Sequence, residues 1–364
     1  MDSCSTERKA ESTNDAGLRS NQYAELFSIE SNLHFSKLVI KNPWREGEVL
    51  GKYYIIKDSL ALNLDTLTDG ILIRTPIRSV LPWSGSQIGM MSILELQNAI
   101  SAVGEFDYVY DSVLRSMMSK GQIAEVGPDH SFDLEKLVSL KPDLVFYSGS
   151  DQPSPYLERL ELAGIVTVPV VEWMEDTPLA RAEWLKFMSV FFGSEDEADR
   201  LFRNIEDEYN QAKLLAETIS APKQVLINAP YKGIWYMPGG KSYMASLLAD
   251  ANLEFPWNDG TGKGSIPLNT ENVLSGALDS DIWINAGIAR KRAELLSIDS
   301  RLENFLPMQS GNIYNHTRRA LSSGANDYWE SGVVYPNLIL KDLIKIAHPD
   351  LLSHYDLTYY EKLD

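Results

Sequence analysis

Between Thr177 and Ser220 the sequence carries no strand signal, whereas on either side short apolar runs alternate with amphipathic ones. A helix-only insert between two alternating runs disfavours one continuous sheet and favours two α/β lobes joined by helices. Within the insert, RAEWLKFMSVFFG and SEDEADRLFRNIEDEYNQAKLLAETI read as helices. The second spans about 26 residues, roughly 39 Å. Its apolar positions Ala198, Leu201, Ile205, Tyr209 and Ala212 step by three and four, with charge on the remaining faces, as in a strut lying along a protein.

The flanking runs repeat a unit. In the first, Asp133-Leu134-Glu135 opens a helix that breaks at Lys141-Pro142, and Asp143 leads into LVFYSG. In the second, Asn269-Thr270-Glu271 opens a helix, and Asp281 leads into IWINAG. Both helices begin at capping residues and both strands end in small ones. SQIGMMSILELQNAISAV reads as a further helix, and DLVFYSG, SPYLERLELAG and IVTVPVV follow the strand–helix–strand rhythm of a parallel sheet. Ahead of the lobes, FSKLVIKNPW and KYYIIKD are β-branched and aromatic runs separated by REGEVLG, a hairpin pattern. The expected fold class is α/β: two parallel-sheet lobes bridged by a long helix, with an N-terminal β-rich extension. The expected divisions are a flexible tether (1–22), a β-hairpin extension packed on the N-lobe (23–75), the N-terminal lobe (76–176), a helical linker (177–220) and the C-terminal lobe (221–364).

Composition narrows the function. Hydrophobic residues are 44% and charged residues 23%, a globular balance. Against 51 Asp and Glu stand 33 Lys and Arg, so a net charge of −18 repels nucleic acid and anionic membrane. No apolar run is long enough to span a bilayer. Cys4 is the only cysteine, excluding an internal disulfide or a multi-thiolate site. The segment CSTERKAESTNDAGLRSNQ resembles the lipidated cysteine and polar tether of a bacterial lipoprotein after signal removal. Cys4 is therefore expected to carry lipid and hold the protein at the membrane in the periplasm or on the cell surface; the alternative is an incidental thiol in a flexible terminus.

Two lobes around a linking helix, with LEKLVSLKPDLV in the first and TENVLSGALDSDIWI in the second, resemble the ABC-importer binding proteins for iron complexes and cobalamin. The resemblance runs from about Ile77 to the C-terminus, is strongest in KPDLV and in YPNLILKDLIKIAHPDLL, and leaves the β-rich extension unassigned. It implies a ligand in the cleft between lobes, small closure about the strut, no intrinsic cofactor, no catalysis and a monomer. It also implies that one glutamate on each lobe docks onto permease arginines, and those positions fall on Glu135 and Glu271. Carboxylate–guanidinium pairing is oriented, so one pair per lobe sets the docking register. The alternative for either glutamate alone is a favourable charge at a helix start, about 0.3–1 kcal/mol.

Ligand loops in such sheets lie at the carboxyl ends of strands. Four are legible: Trp83 and Ser84; Tyr147 to Gly149; Ala229 to Gly233, containing Tyr231 and Lys232, with Trp235 and Tyr236 beyond; and Asn285 to Gly287. A fifth candidate is Asp327-Tyr328-Trp329-Glu330, an aromatic pair flanked by acids three apart, which resembles the cleft segment of cobalamin binders. The tryptophan those binders carry before the second docking glutamate is replaced around Ser265, with Trp257 the nearest substitute, which counts against cobalamin. Arg318 and Arg319, with Lys232 and Lys241, suit anionic catecholates or propionates, and Tyr147 or Tyr231 a haem iron. The expected cargo is an iron–siderophore or haem, with cobalamin the alternative. A surface scavenger without a permease is a further class. GTGKGS lacks the spacing of a phosphate loop, the five histidines show no paired-ligand spacing for a bare metal ion, and no nucleophile motif supports a hydrolase.

Overall fold

The structure is a computed structural model that describes residues 17–19, 21–57, 67–128, 131–152 and 154–364; Cys4 lies outside them. In the N-terminal extension, β1 (Gly17–Arg19), β2 (Phe27–Ser31), β3 (Phe35–Lys41), β4 (Val49–Ile56) and β5 (Ile71–Arg74) form one sheet in that order. All its pairs are antiparallel except β4–β5. Alternation in FSKLVIK buries Ser36, Leu38 and Ile40 on one face. The end of the expected tether is ordered instead: residues 17–19 pair with β2, and the Gln22 N–H donates to Glu183. Backbone groups there find partners that a free tether would leave to water.

The first lobe runs β6 (Val80–Pro82), α1 (Gly85–Ile93), β7 (Ala102–Val103), α2 (Ser112–Ser119), β8 (Ala124–Glu125), α3 (Leu134–Leu140), β9 (Leu144–Ser148), α4 (Pro155–Leu162) and β10 (Val166–Val170). Strands β10, β9 and β6 form a parallel sheet, and a Val80–Ile100 bridge leads on to the parallel β7–β8 pair. Helix α1 starts with a Ser84–Gln87 capping box but stops well short of the helix expected through Val103. Glu95 is left-handed at φ 58°, Leu96 N–H bonds to Met91 O and Glu95 N–H to Ser92 O. That is a Schellman turn built without the usual glycine, so its sequence signal is absent.

The linker is two helices, α5 (Pro178–Val190) and α6 (Glu195–Ala216). Helix α6 has 22 residues, roughly 33 Å at 1.5 Å each, and buries Ala198, Ile205, Tyr209 and Ala212 as its stripe requires. Helix α5 is buried on nearly every face. The second lobe runs β11 (Lys223–Ile227), β12 (Ile234–Pro238), α7 (Tyr243–Asp250), β13 (Leu253–Glu254), β14 (Ser265–Asn269), α8 (Thr270–Ala277), β15 (Ile282–Ile284), α9 (Arg292–Ile298), α10 (Leu306–Ser310), β16 (Ile313–Asn315), α11 (Pro336–Ala347) and β17 (Glu361–Lys362). Its sheet has the order β13-β11-β15-β16-β17, parallel but for β17, and β12 pairs antiparallel with β14. Helix α5 touches α1 of the first lobe and α7 and α11 of the second, so it is shared by both cores.

The repeated unit has a physical counterpart. Asp143 accepts from the N–H groups of Arg78 and Ser79 at 2.7 and 3.0 Å while its own N–H donates to Ser79 O. Asp281 does the same to Gln224, at 2.9 Å through its carboxylate and 2.8 Å through its N–H. Each aspartate fixes where its strand enters beside an earlier one. Lys141, left-handed at φ 47°, ends α3 just before Pro142.

The extension is joined to the linker by polar and aromatic contacts. Phe27 packs edge-on against Trp184 and Phe187 of α5. Buried Glu183 accepts from the N–H groups of Gln22, Tyr23 and Ala24 at 2.8–3.0 Å. Removing one partner of such a buried charged cluster costs about 3–5 kcal/mol. Glu183→Ala should lower the urea midpoint by that equivalent, with Phe27 and the sheet losing their anchor; a change below about 1 kcal/mol would show that the carboxylate does not hold the extension.

Candidate functional site

A cavity of about 750 Å³ lies between the lobes. The first lobe contributes Trp173 and Asp176, just after β10, and the linker contributes Arg181. The second lobe contributes Asn228 and Ala229 after β11, Asn285 and Gly287 after β15, Tyr236 on β12, Tyr243 and Met244 at the start of α7, and His316 after β16. Tyr328 and Trp329 close it from a 3-10 turn over Asp327–Trp329. The cavity thus gathers at the carboxyl ends of parallel strands, where backbone turns leave side chains free to face a ligand. Asn228 and Asn285 are left-handed there, at φ 65° and 54°. Their side chains are spent on the frame: Asn228 Nδ2 donates to Tyr236 O, and Asn285 Oδ1 accepts from the Tyr360 hydroxyl.

The walls are aromatic. Trp173 and Trp329 keep 43% and 54% of their surface exposed and Tyr236 keeps 42%, far more than core aromatics do. His316 stacks on Tyr328 at 4.4 Å and meets Trp329 edge-on at 5.3 Å. Burial pushes the His316 imidazole down to about 4, so it is neutral near pH 7. Across the two lobes, Lys263 pairs with Asp176. Lys263 belongs to the GTGKGS run, which leads into β14 beside the cavity.

Of the twelve candidates read from sequence, Tyr236, Tyr328 and Trp329 line this cavity. Trp83, Ser84 and Tyr147 line two smaller pockets on the first lobe, of about 330 and 320 Å³. Burial raises the Tyr147 hydroxyl to about 12. Trp235 is a correction: it is fully buried, stacked on Trp283 at 5.7 Å, and its Nε1 donates to Ile227 O, because β12 turns it toward the core. Tyr231 and Lys232 sit on the exposed turn before β12, with Lys232 over the Tyr231 ring, and Arg318 is exposed away from the cavity.

Asp327 and Glu330 lie outside this cavity and line a second pocket, with Tyr110, Arg115 and Arg319. Asp327 is buried and pairs with Arg319 at 2.8 Å. Glu330 is buried and accepts from the N–H groups of Tyr110 and Asp111, both at 2.8 Å, tying the second lobe to the first. These acids brace the turn that presents Tyr328 and Trp329, rather than reaching the cavity themselves. The reading missed Trp173, Arg181, Tyr243 and His316. Trp173 was accessible to the rule already applied, since it follows the strand IVTVPVV by two residues; the other three carry no local signal.

Glu135 and Glu271 are both exposed in the first turns of equivalently capped helices. Glu271 pairs with Arg301, which holds its carboxyl below the usual range, while no cation among the described residues pairs with Glu135.

Two α/β lobes sharing a helical linker and enclosing an aromatic cavity define a solute-binding protein. The chain belongs to the periplasmic binding protein family, whose model matches residues 93–303. It is 26% identical over 303 residues to an uncharacterized lipoprotein of Methanocaldococcus jannaschii, covering 79% of this chain and 70% of that one. A second uncharacterized lipoprotein of that organism is 24% identical, covering 99% and 90%. Among solved structures, a periplasmic haem-binding protein of Pseudomonas aeruginosa aligns with a TM-score of 0.59 at 17% identity, over 79% of this chain and 99% of that one. A possible iron-binding, periplasmic solute-binding protein of Staphylococcus epidermidis aligns with a TM-score of 0.58 at 16% identity, over 75% and 100%. Among the described residues no helix is long and apolar enough to cross a membrane.

Burial pushes the Glu330 carboxyl up to about 7 from an ordinary 4.5, outweighing the two N–H donors that favour its charge. Because the folded state binds this proton more tightly than the unfolded one, its stabilising contribution is full below about pH 4.5 and is lost as pH rises through about 7. Melting temperatures of wild type and Glu330→Gln measured between about pH 5 and 8 should show the wild type losing ground to the variant as pH rises. A difference independent of pH would contradict the assignment.

Proposed function

We propose that this chain is the substrate-binding component of an ABC importer, capturing an iron complex, a siderophore or haem, in the interlobe cavity and handing it to a permease. The observation that carries the proposal is the cavity itself, whose 750 Å³ and exposed lining aromatics Trp173 and Trp329 suit a broad, partly planar ligand. Two structural neighbours, a haem-binding protein and a possible iron-binding protein, support the same class. Trp257 packs against Gly276 of α8 and is not among the cavity residues, which counts further against cobalamin.

In this reading Glu135 and Glu271 dock the two lobes, and a permease arginine takes over the place Arg301 holds on Glu271. Exchange of one guanidinium for another costs little at an exposed site. Cys4 carries the lipid, a role supported by the lipoprotein relatives. The chain then divides into the tether, the extension, the lobe 76–176, the linker 177–220 and the lobe 221–364, acting as a monomer.

Incubation with haem, cyanocobalamin and a ferric tricatecholate siderophore, followed by absorption spectroscopy and native mass spectrometry, should show retention of haem or the siderophore. Retention of none of them would contradict the proposal. Trp329→Ala should weaken the retained ligand about tenfold, equivalent to about 1.4 kcal/mol. Combined Glu135→Ala and Glu271→Ala should leave binding intact and abolish uptake; unchanged uptake would remove the docking role.

A further inference from the structure

The charges around the cavity do not balance locally. Glu175 lies at its edge, but its oxygens accept from the N–H groups of Glu25 and Leu26 and from Trp184 Nε1. Asp176 and Lys263 neutralise each other. That leaves Arg181, whose guanidinium carbon sits 4.6 Å from the centroid of Tyr243. No carboxylate among the described residues pairs with it, and its Nε is buried with no hydrogen-bond partner. A guanidinium offers five donors, and leaving a buried one unmade is costly. Where the residue lines the cavity, its planar guanidinium matches the two oxygens of a carboxylate or another oxyanion.

A second donor lines the same cavity. Asn326 Oδ1 accepts from the Tyr328 N–H, which fixes the amide so that Nδ2 faces His316, 2.9 Å from its carbonyl and 3.3 Å from Nδ1. With Nδ1 accepting, a neutral imidazole carries its proton on Nε2. That N–H donates to an acceptor and cannot at the same time ligate a metal. Tyr328 connects the two groups, since His316 stacks on its ring and the Arg181 charge acts on its hydroxyl.

We infer that Arg181, with His316 lining the same cavity, is an oxyanion subsite, and that the ligand carries a carboxylate or similar oxyanion on an otherwise apolar, planar body. This rests on the cavity being the ligand site. The cations that stand out in the sequence do not serve here: Arg319 is engaged by Asp327, and Arg318, Lys232 and Lys241 lie outside the cavity lining. An acid that binds does so against the field of a protein with net charge −18, so an anion preference must arise locally.

The test uses the intact protein and its tryptophan fluorescence, for which Trp173 and Trp329 are placed, titrated with benzoate and with its neutral isostere benzamide. Benzoate should bind at least about tenfold more tightly, and Arg181→Gln should erase that preference. Equal binding of acid and amide, binding of neither, or a preference that survives in Arg181→Gln would overturn the subsite. The wild-type comparison stands even if the variant folds poorly. Haem and its dimethyl ester separate the two levels of the account. Failure of haem with the benzoate preference intact counts against the iron-complex reading alone. Equal affinity of haem and its ester, unaffected by Arg181→Gln, removes the subsite and leaves that reading in place.

Discussion

Buried carboxylates that hold backbone N–H groups from distant segments are the interaction on which the arrangement of this molecule depends. Glu183 and Glu175 on and before α5 hold residues 22–26, at the entry to the extension. Asp342 on α11 holds the N–H groups of Thr358, Tyr359 and Tyr360, fixing the tail that becomes β17. Glu330 holds Tyr110 and Asp111 across the lobes. A carboxylate removed from water is costly unless hydrogen bonds replace its hydration; two or three N–H groups supply part of that replacement, and burial still raises the Glu175, Glu330 and Asp342 carboxyls. Each net charged hydrogen bond contributes about 1.5–3 kcal/mol.

The cavity inherits its shape from these clasps. The turn bearing Tyr328 and Trp329 is held from behind by Glu330 and by the Asp327–Arg319 pair, so both rings have a fixed platform. Close packing adds to it: a Cβ at Gly89 would fall 2.1 Å from Glu330 O, so α1 and this turn meet backbone to backbone. On the other side, Trp44 of the extension lies 6.0 Å from Trp173, so the β-rich sheet supports one aromatic wall. The lobes share α5 as common core.

Periodic and local features were legible in the sequence. Strand–helix alternation, the α6 stripe, the caps at Asp133 and Asn269, and the equivalence of Asp143 with Asp281 all follow from short-range rules, and the two-lobe fold follows from them. The β12–β14 pair was not legible, because it joins segments separated by α7 and a long loop. The site was only partly legible. Strand ends pointed to Tyr236 and to the Asn285 turn, but the carboxylates of Asp327 and Glu330 are engaged behind the turn, by Arg319 and by the N–H groups of Tyr110 and Asp111, since spacing does not reveal which way a carboxylate faces. Arg181 was hidden for the opposite reason: one arginine in a helix reads as solvated surface until the fold places it beside Tyr243.

The most direct measurement is a crystal structure of the protein with whichever metal complex it retains. The account predicts ligand density between the lobes, with the ligand body between Trp173 and Trp329 and an anionic group at Arg181. Density confined to the first-lobe pockets beside Trp83 and Tyr147, with the interlobe cavity empty, would contradict it.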